Sequence, residues 1–174
     1  MELVGKPAGG PKNEATSIAT IHKALDSGIE WIDTAPAYGL GVAETVVGKA
    51  LAERSEKPFV ATKLGRCWNE KRELGSNLDP ASIRQECEDS LRRLNTDVID
   101  LYQIHWPNHS VAVEDSMAAL LKLRDSGKIR SIGVCNFGVG DLSAALESAE
   151  IVTDQLPYNL LWRPIEVEIA PKCL

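Results

Sequence analysis

The chain of 174 residues lacks every long apolar run; none approaches the ~20 residues needed to cross a bilayer, and a membrane is not expected as a partner. Its first seventeen residues, MELVGKPAGGPKNEATS, have no apolar stretch of the kind that carries a secretory signal. It lacks an excess of positive charge: 19 Lys and Arg against 25 Asp and Glu leave a net charge of −6. Nucleic acid is therefore excluded as the main partner, because phosphate binding needs clustered cations. Cysteine is sparse. Cys67, Cys87, Cys135 and Cys173 form no C-x-x-C pair, which fits neither a zinc knuckle nor a disulfide framework. Reduced thiols in a cytoplasmic protein are the expectation.

What the chain does have is ordinary for one globular domain: 44% hydrophobic and 25% charged residues, too apolar for a disordered segment. Residues 1–16 read as a flexible lead-in rich in Gly and Pro, followed by one domain over 17–174. Short apolar runs then alternate with amphipathic stretches. Helices are predicted at 17–27, 42–54, 80–93, 113–125 and 140–148. Strands are predicted at 29–33, 57–63, 97–105, 128–137 and 150–155. The clearest helix is 80–93. Asp79 can cap it, Pro80 suits its first turn, and Ile83, Cys87, Leu91 and Leu94 recur at helical spacing. A last helix begins near 165, with Pro171 expected to disturb it.

Strict α-β alternation predicts an α/β fold with a parallel sheet covered by helices. A closed (β/α)8 barrel and an open doubly wound sheet compete, with a flavodoxin-like sheet the weaker form of the second. In all of these, reactive groups gather where the strands end. Those ends offer Asp33, Lys63, His105, Asn136 and Gln155, with Tyr38 in the turn after Asp33. Each has an ordinary structural explanation; the conjunction points to carbonyl reduction. Hydride arriving at a carbonyl carbon leaves charge on oxygen, which needs a proton. Free tyrosine, with a pKa of about 10, holds its proton firmly, so an adjacent ammonium at Lys63 is needed to stabilise the phenolate. Asp33 would hold Lys63 in place, and His105 would donate to the substrate oxygen. The planar amides of Asn136 and Gln155 match a carboxamide. Trp68 and Trp106, just past strand ends, either line a substrate pocket or cover the mouth of the barrel.

Other signals fail. Gly39-Leu40-Gly41 begins like a dinucleotide loop, but Glu44 stands where the third glycine belongs. His105 and His109 are four apart, yet Pro107 prevents a shared helix, so no metal site is expected. There is no G-x-S-x-G elbow.

The stretches WIDTAPAYG (31–39), FVATKLG (59–65), DLYQIHWP (100–107) and GKIRSIGVCNF (127–137) resemble those of the aldo-keto reductases, with weaker support from TDQLPYNLLWR (153–163). The resemblance implies a (β/α)8 TIM barrel, present here as about five strands, the second to sixth of such a barrel. It implies NADPH-dependent reduction of aldehydes and ketones. It further implies Asp33, Tyr38, Lys63 and His105 as the catalytic tetrad, Tyr38 being the general acid. Asn136 and Gln155 would hold the nicotinamide carboxamide with residue 135, and Asp33 also lies on the cofactor side. Residue 135 is a departure, Cys135 where the family usually has serine. The first strand and the last two or three βα units of the family pattern are not found between residues 1 and 174. The alternative reading is therefore a catalytically inactive binding or scaffold module. Self-association through open sheet edges is the partner expected beside a small carbonyl substrate.

Overall fold

The computed structural model describes residues 13–173. Helix α1 (Glu14–Asp26) leads into β1 (Trp31–Asp33), followed by α2 (Val42–Ala52), β2 (Phe59–Leu64) and α3 (Pro80–Leu94). Then come β3 (Ile99–Ile104), α4 (Val113–Asp125), β4 (Ile129–Cys135), α5 (Val139–Ser148) and β5 (Asp154–Gln155). A single 3₁₀ turn (Pro164–Glu166) precedes α6 (Ile169–Cys173).

The local rules are visible in the helix ends. Asp79 accepts a hydrogen bond from Ala81 N at 2.8 Å, and Pro80 takes the first turn of α3, where its missing N–H is harmless. Asn95 closes that helix in the left-handed region at φ +53°. The first helix starts earlier than the expected Ser17, because the Asn13 side chain accepts from Thr16 N at 3.3 Å and caps it. Of the predicted lead-in, residues 1–12 lie outside the described residues, while Glu14–Thr16 are helical. Pro171 lies within the first turn of α6 rather than breaking it, for the reason that applies to Pro80. The strand expected over 150–155 narrows to Asp154–Gln155, which pair with Val134 and Cys135. Val152 N still donates to Ile132 O at 3.0 Å, but this edge has a partner on one side only among the described residues.

The five strands are all parallel and lie in chain order, β1 to β5. A doubly wound sheet requires a reversal of strand order at a switch point. None occurs here, so the sheet is an arc of a (β/α)8 barrel, incomplete at five strands. Residues on its outer face, such as Val60, Leu64, Tyr102, Ile104, Ile132 and Val134, pack against the helices in one core. Gly48 lets α2 meet α3 closely: a Cβ there would lie 2.3 Å from Arg93 O. The inner face carries Ala61 and Lys63, which pair in register with Leu101 and Gln103. Gln103 is buried and accepts from Thr153 Oγ1 at 2.9 Å, while Gly133 leaves room for its stem. Among the described residues no helix is long and apolar enough to cross a membrane.

Candidate active site

All the strands point their carboxyl ends the same way, so their last residues meet at one rim. Lys63, near the end of β2, is buried at 2% exposure and donates to both oxygens of Asp33, at 2.9 and 2.8 Å, and to Thr34 O at 3.1 Å. Its ammonium thus has three acceptors and one fixed position. Past Asp33 the backbone turns sharply. Gly41 N donates to Pro36 O at 2.7 Å, and Leu40, Gly39 and Gly41 all have positive φ. This turn lays the half-exposed Tyr38 ring against the ammonium, with Lys63 Nζ 5.1 Å from the ring centroid.

His105 follows β3 and donates its backbone N–H to Leu64 O at 3.0 Å. Its ring meets Tyr38 edge-on, with centroids 5.8 Å apart at 85°. Burial, reinforced by Lys63 and Arg66 and opposed by Asp33, pulls its pKa down to about 4, so the imidazole is neutral near pH 7. Its buried Nδ1 has no hydrogen-bond partner among the described residues.

The remaining strand ends close the rim. Asn136, left-handed at φ +61°, donates from Nδ2 to His105 O at 2.9 Å, and its backbone N–H reaches Gln155 O at 3.0 Å. Gln155 Nε2 donates to Asp33 Oδ2 at 3.2 Å, linking the two outermost strands across the arc. The Cys135 thiol donates to Gln155 Oε1 at 3.4 Å. Burial, the largest cause, pushes that thiol up to about 12, so it stays protonated. All seven residues expected at the catalytic and carboxamide positions therefore lie in one connected group.

A model of the Aldo/keto reductase family matches residues 1–174. The chain belongs to the aldo/keto reductase family. It is 44% identical over 170 residues to the aldo-keto reductase YhdN of Bacillus subtilis, covering 97% of this chain and 51% of that one. It is 38% identical to an NADH-specific methylglyoxal reductase of Escherichia coli, covering 97% and 56%. The chain thus spans about half the length of the curated relatives it matches. The glycerol dehydrogenase AKR11B4 of Gluconobacter oxydans superposes with a TM-score of 0.88 at 46% identity, covering 95% of this chain and 53% of that one. An aldo/keto reductase of Klebsiella pneumoniae solved with NADP and acetate gives 0.82 at 31% identity, covering 95% and 56%.

Within this family arc the two tryptophans differ. Trp106 is exposed beside His105, whereas the Trp68 ring faces the Arg93 guanidinium, 5.9 Å from its centroid. Among the described residues no group of three His, Cys, Asp or Glu could hold a metal ion. His109 instead lies 3.5 Å from Asp141.

Sequence reasoning missed a second polar group beneath the rim. Glu44 is fully buried on α2, accepts from Thr62 Oγ1 at 2.6 Å and pairs with Arg93 Nε at 2.6 Å. The signal was available: Glu44 shares the inward face of α2 with Val47 and Leu51, where a carboxylate demands a partner. Asp154 was also missed. It accepts from Phe137 N at 3.4 Å, while its Oδ2 is buried with no partner among the described residues. Burial raises its pKa from 3.8 to about 6. The fold favours the protonated form, so Asp154 supports stability at low pH and loses that support as pH rises through about 6. Asp154→Asn is expected to be more favourable at pH 8 than at pH 4, by about 1 kcal/mol after allowance for partial exposure. Urea unfolding at the two pH values checks this; equal effects at both would contradict it.

Proposed function

We propose that this aldo/keto reductase chain carries the reacting half of a nicotinamide-dependent carbonyl reductase, with Tyr38 as the general acid. The observation that supports this best is the convergence of the Tyr38 phenol, Lys63 ammonium and His105 imidazole at one rim, with Asp33 behind the ammonium. A reduced nicotinamide, its carboxamide held by Asn136 and Gln155, would supply the hydride for the carbonyl carbon of a small aldehyde or ketone. The charge that develops on oxygen takes its proton from Tyr38, and the Lys63 charge stabilises the phenolate left behind. Three acceptors keep that ammonium from drifting, so its position is set before the substrate arrives. His105 is neutral. With Nδ1 buried and unpartnered, its proton belongs on Nε2, the donor expected to hold the substrate oxygen.

The residues present suit a carboxamide. Asn136 spends Nδ2 on His105 O and keeps Oδ1 as an acceptor; Gln155 retains a second amide hydrogen. Cys135 acts on the cofactor through Gln155, whose Oε1 it holds, rather than as a donor in its own right. NADPH is the proposed form, Trp106 the proposed pocket residue of the two tryptophans, and the cytoplasm the proposed compartment. The test is saturable quenching of tryptophan fluorescence by NADPH, together with carbonyl-dependent NADPH oxidation by the purified chain. Quenching by NADH alone would overturn the cofactor choice. Failure of both readouts would favour the binding-module reading.

That second reading has its own observation. Leu160 and Leu161 are 89% and 97% exposed, Trp162 is exposed, and among the described residues β1 and β5 each pair on one side only. Such surfaces favour association. Light scattering is expected to give a mass above the 18.9 kDa of one chain. A monomer at that mass would exclude self-association.

A further inference from the structure

Arg93, near the end of α3, extends its side chain back along the helix toward the rim. There it meets three other parts of the chain at once. Its Nε donates to Glu44 Oε2 at 2.6 Å, at the start of α2. The guanidinium faces the half-buried Trp68 ring, 5.9 Å from its centroid, in the segment after β2. Its stem lies against the turn that holds Tyr38: a Cβ added at Gly41 would sit 3.0 Å from Arg93 Cδ. Helix α2 packs between α1 and α3, and α3 between α2 and α4, so these contacts lie inside the arc and not beside either edge of the helix layer.

From Arg93 two short routes lead to the reacting groups. Glu44 stands in the first turn of α2, between Ala43 and Thr45. Ala43 N donates to Tyr38 O at 3.2 Å, and Thr45 donates to Gly41 O from N and from Oγ1, at 3.1 and 3.0 Å. The backbone of the Tyr38 turn is therefore fixed to the first turn of α2. The other Glu44 oxygen accepts from Thr62 Oγ1 at 2.6 Å, and Thr62 immediately precedes Lys63 on β2. One carboxylate thus spaces the phenol against the ammonium, and Arg93 balances its charge. Glu44 is fully buried, so without the guanidinium its carboxylate would be drawn toward water and carry the first turn of α2 with it.

We infer that Arg93 is a positioning residue, which touches no reacting atom and sets the Tyr38 phenol at its working distance from Lys63 through Glu44 and the Gly41 turn. The inference rests on the reductase reading for the role of Tyr38, and on the contacts alone for the placement. A misplacement of about 1 Å, caused far from the chemistry, can cost roughly a hundredfold in rate. Placement and folding also separate. Replacing both members of the pair by apolar side chains relieves the buried charges, but it does not restore the hydrogen bond from Thr62 to Glu44.

The test compares Arg93→Met, Arg93→Lys and the double variant Glu44→Met with Arg93→Met, each assayed for carbonyl-dependent NADPH oxidation and for urea unfolding. Arg93→Met is expected to lose about tenfold or more in kcat, with the carbonyl KM nearly unchanged. Arg93→Lys, which keeps the charge, should recover part of that loss. The double variant should regain stability yet keep the loss in kcat, which a purely structural role would not give; it also carries the comparison if Arg93→Met does not fold. Return of kcat together with stability in the double variant, or unchanged kcat in folded Arg93→Met, would overturn the inference. Labelling the chain with fluorotyrosine supplies a readout that needs no turnover. The fluorine signal of Tyr38, assigned by its loss in Tyr38→Phe, should move in both methionine variants while that of Tyr158, after β5, stays. A Tyr38 signal that keeps its place would overturn the inference as well. If the unmodified chain shows no turnover yet the signal moves, the placement stands and the reductase reading fails.

Discussion

Tyr38→Phe is expected to lower carbonyl-dependent NADPH oxidation by about 10²–10⁴-fold, the usual contribution of one positioned acid. The substitution removes a single oxygen atom. The ring is half-exposed, and its packing against His105 and Lys63 is retained. Neither the fold nor the Lys63–Asp33 pair depends on the hydroxyl, for which no side-chain hydrogen bond to a described residue is found. Loss should therefore fall on kcat, with NADPH quenching of tryptophan fluorescence unchanged, because an interaction made only in the transition state affects the chemical step. Steady-state kinetics on the purified variant measures this. Turnover within a factor of two of the unmodified chain would remove Tyr38 from the acid role.

The largest effect on stability is expected at Glu44. Its carboxylate is fully buried, with Thr62 Oγ1 on one oxygen and Arg93 Nε on the other. Glu44→Ala deletes the anion and leaves Arg93 partly desolvated, with Ser90 Oγ at 3.3 Å as its remaining side-chain hydrogen-bond partner among the described residues. Removing one member of a buried pair costs roughly 3–5 kcal/mol. That is a large share of the 5–15 kcal/mol typical of a whole domain. A double replacement, Glu44→Met with Arg93→Met, should recover much of the loss, because two apolar groups leave no uncompensated charge. Urea unfolding of the three variants provides the comparison. A single variant within 1 kcal/mol of the parent would show that the pair is not holding α2 and α3 together. The position matters for the site as well: Glu44 ties the helix after the Tyr38 turn to Thr62, the neighbour of Lys63 on β2.

The alternation of elements was legible because each helix carries its own stripe and each strand its own apolar run. Residues Ile83, Cys87, Leu91 and Leu94 name the buried face of α3 without reference to anything else in the chain. Boundaries were less legible where a single side chain decides them, as Asn13 does for α1. The strand at 150–155 was overestimated for a different reason. Its apolar Ile151 and Val152 satisfy the pattern, but only Asp154 and Gln155 pair in register with β4.

By itself, the sequence determined the order and type of the elements, and the identity of the groups at the strand ends. Spacing along a chain specifies which residues share a helix face or a strand face, since those periods are local. Only the tertiary structure decided that the strands follow one another without reversal. Only it showed that Gln155, 122 residues from Asp33, donates to the same carboxylate that holds Lys63. The same holds for Glu44 with Arg93 and for the Asp154 oxygen that finds no partner among the described residues. The physical reason is that a buried charge or polar atom is defined by what surrounds it. Its surroundings come from other elements, at separations no local period encodes.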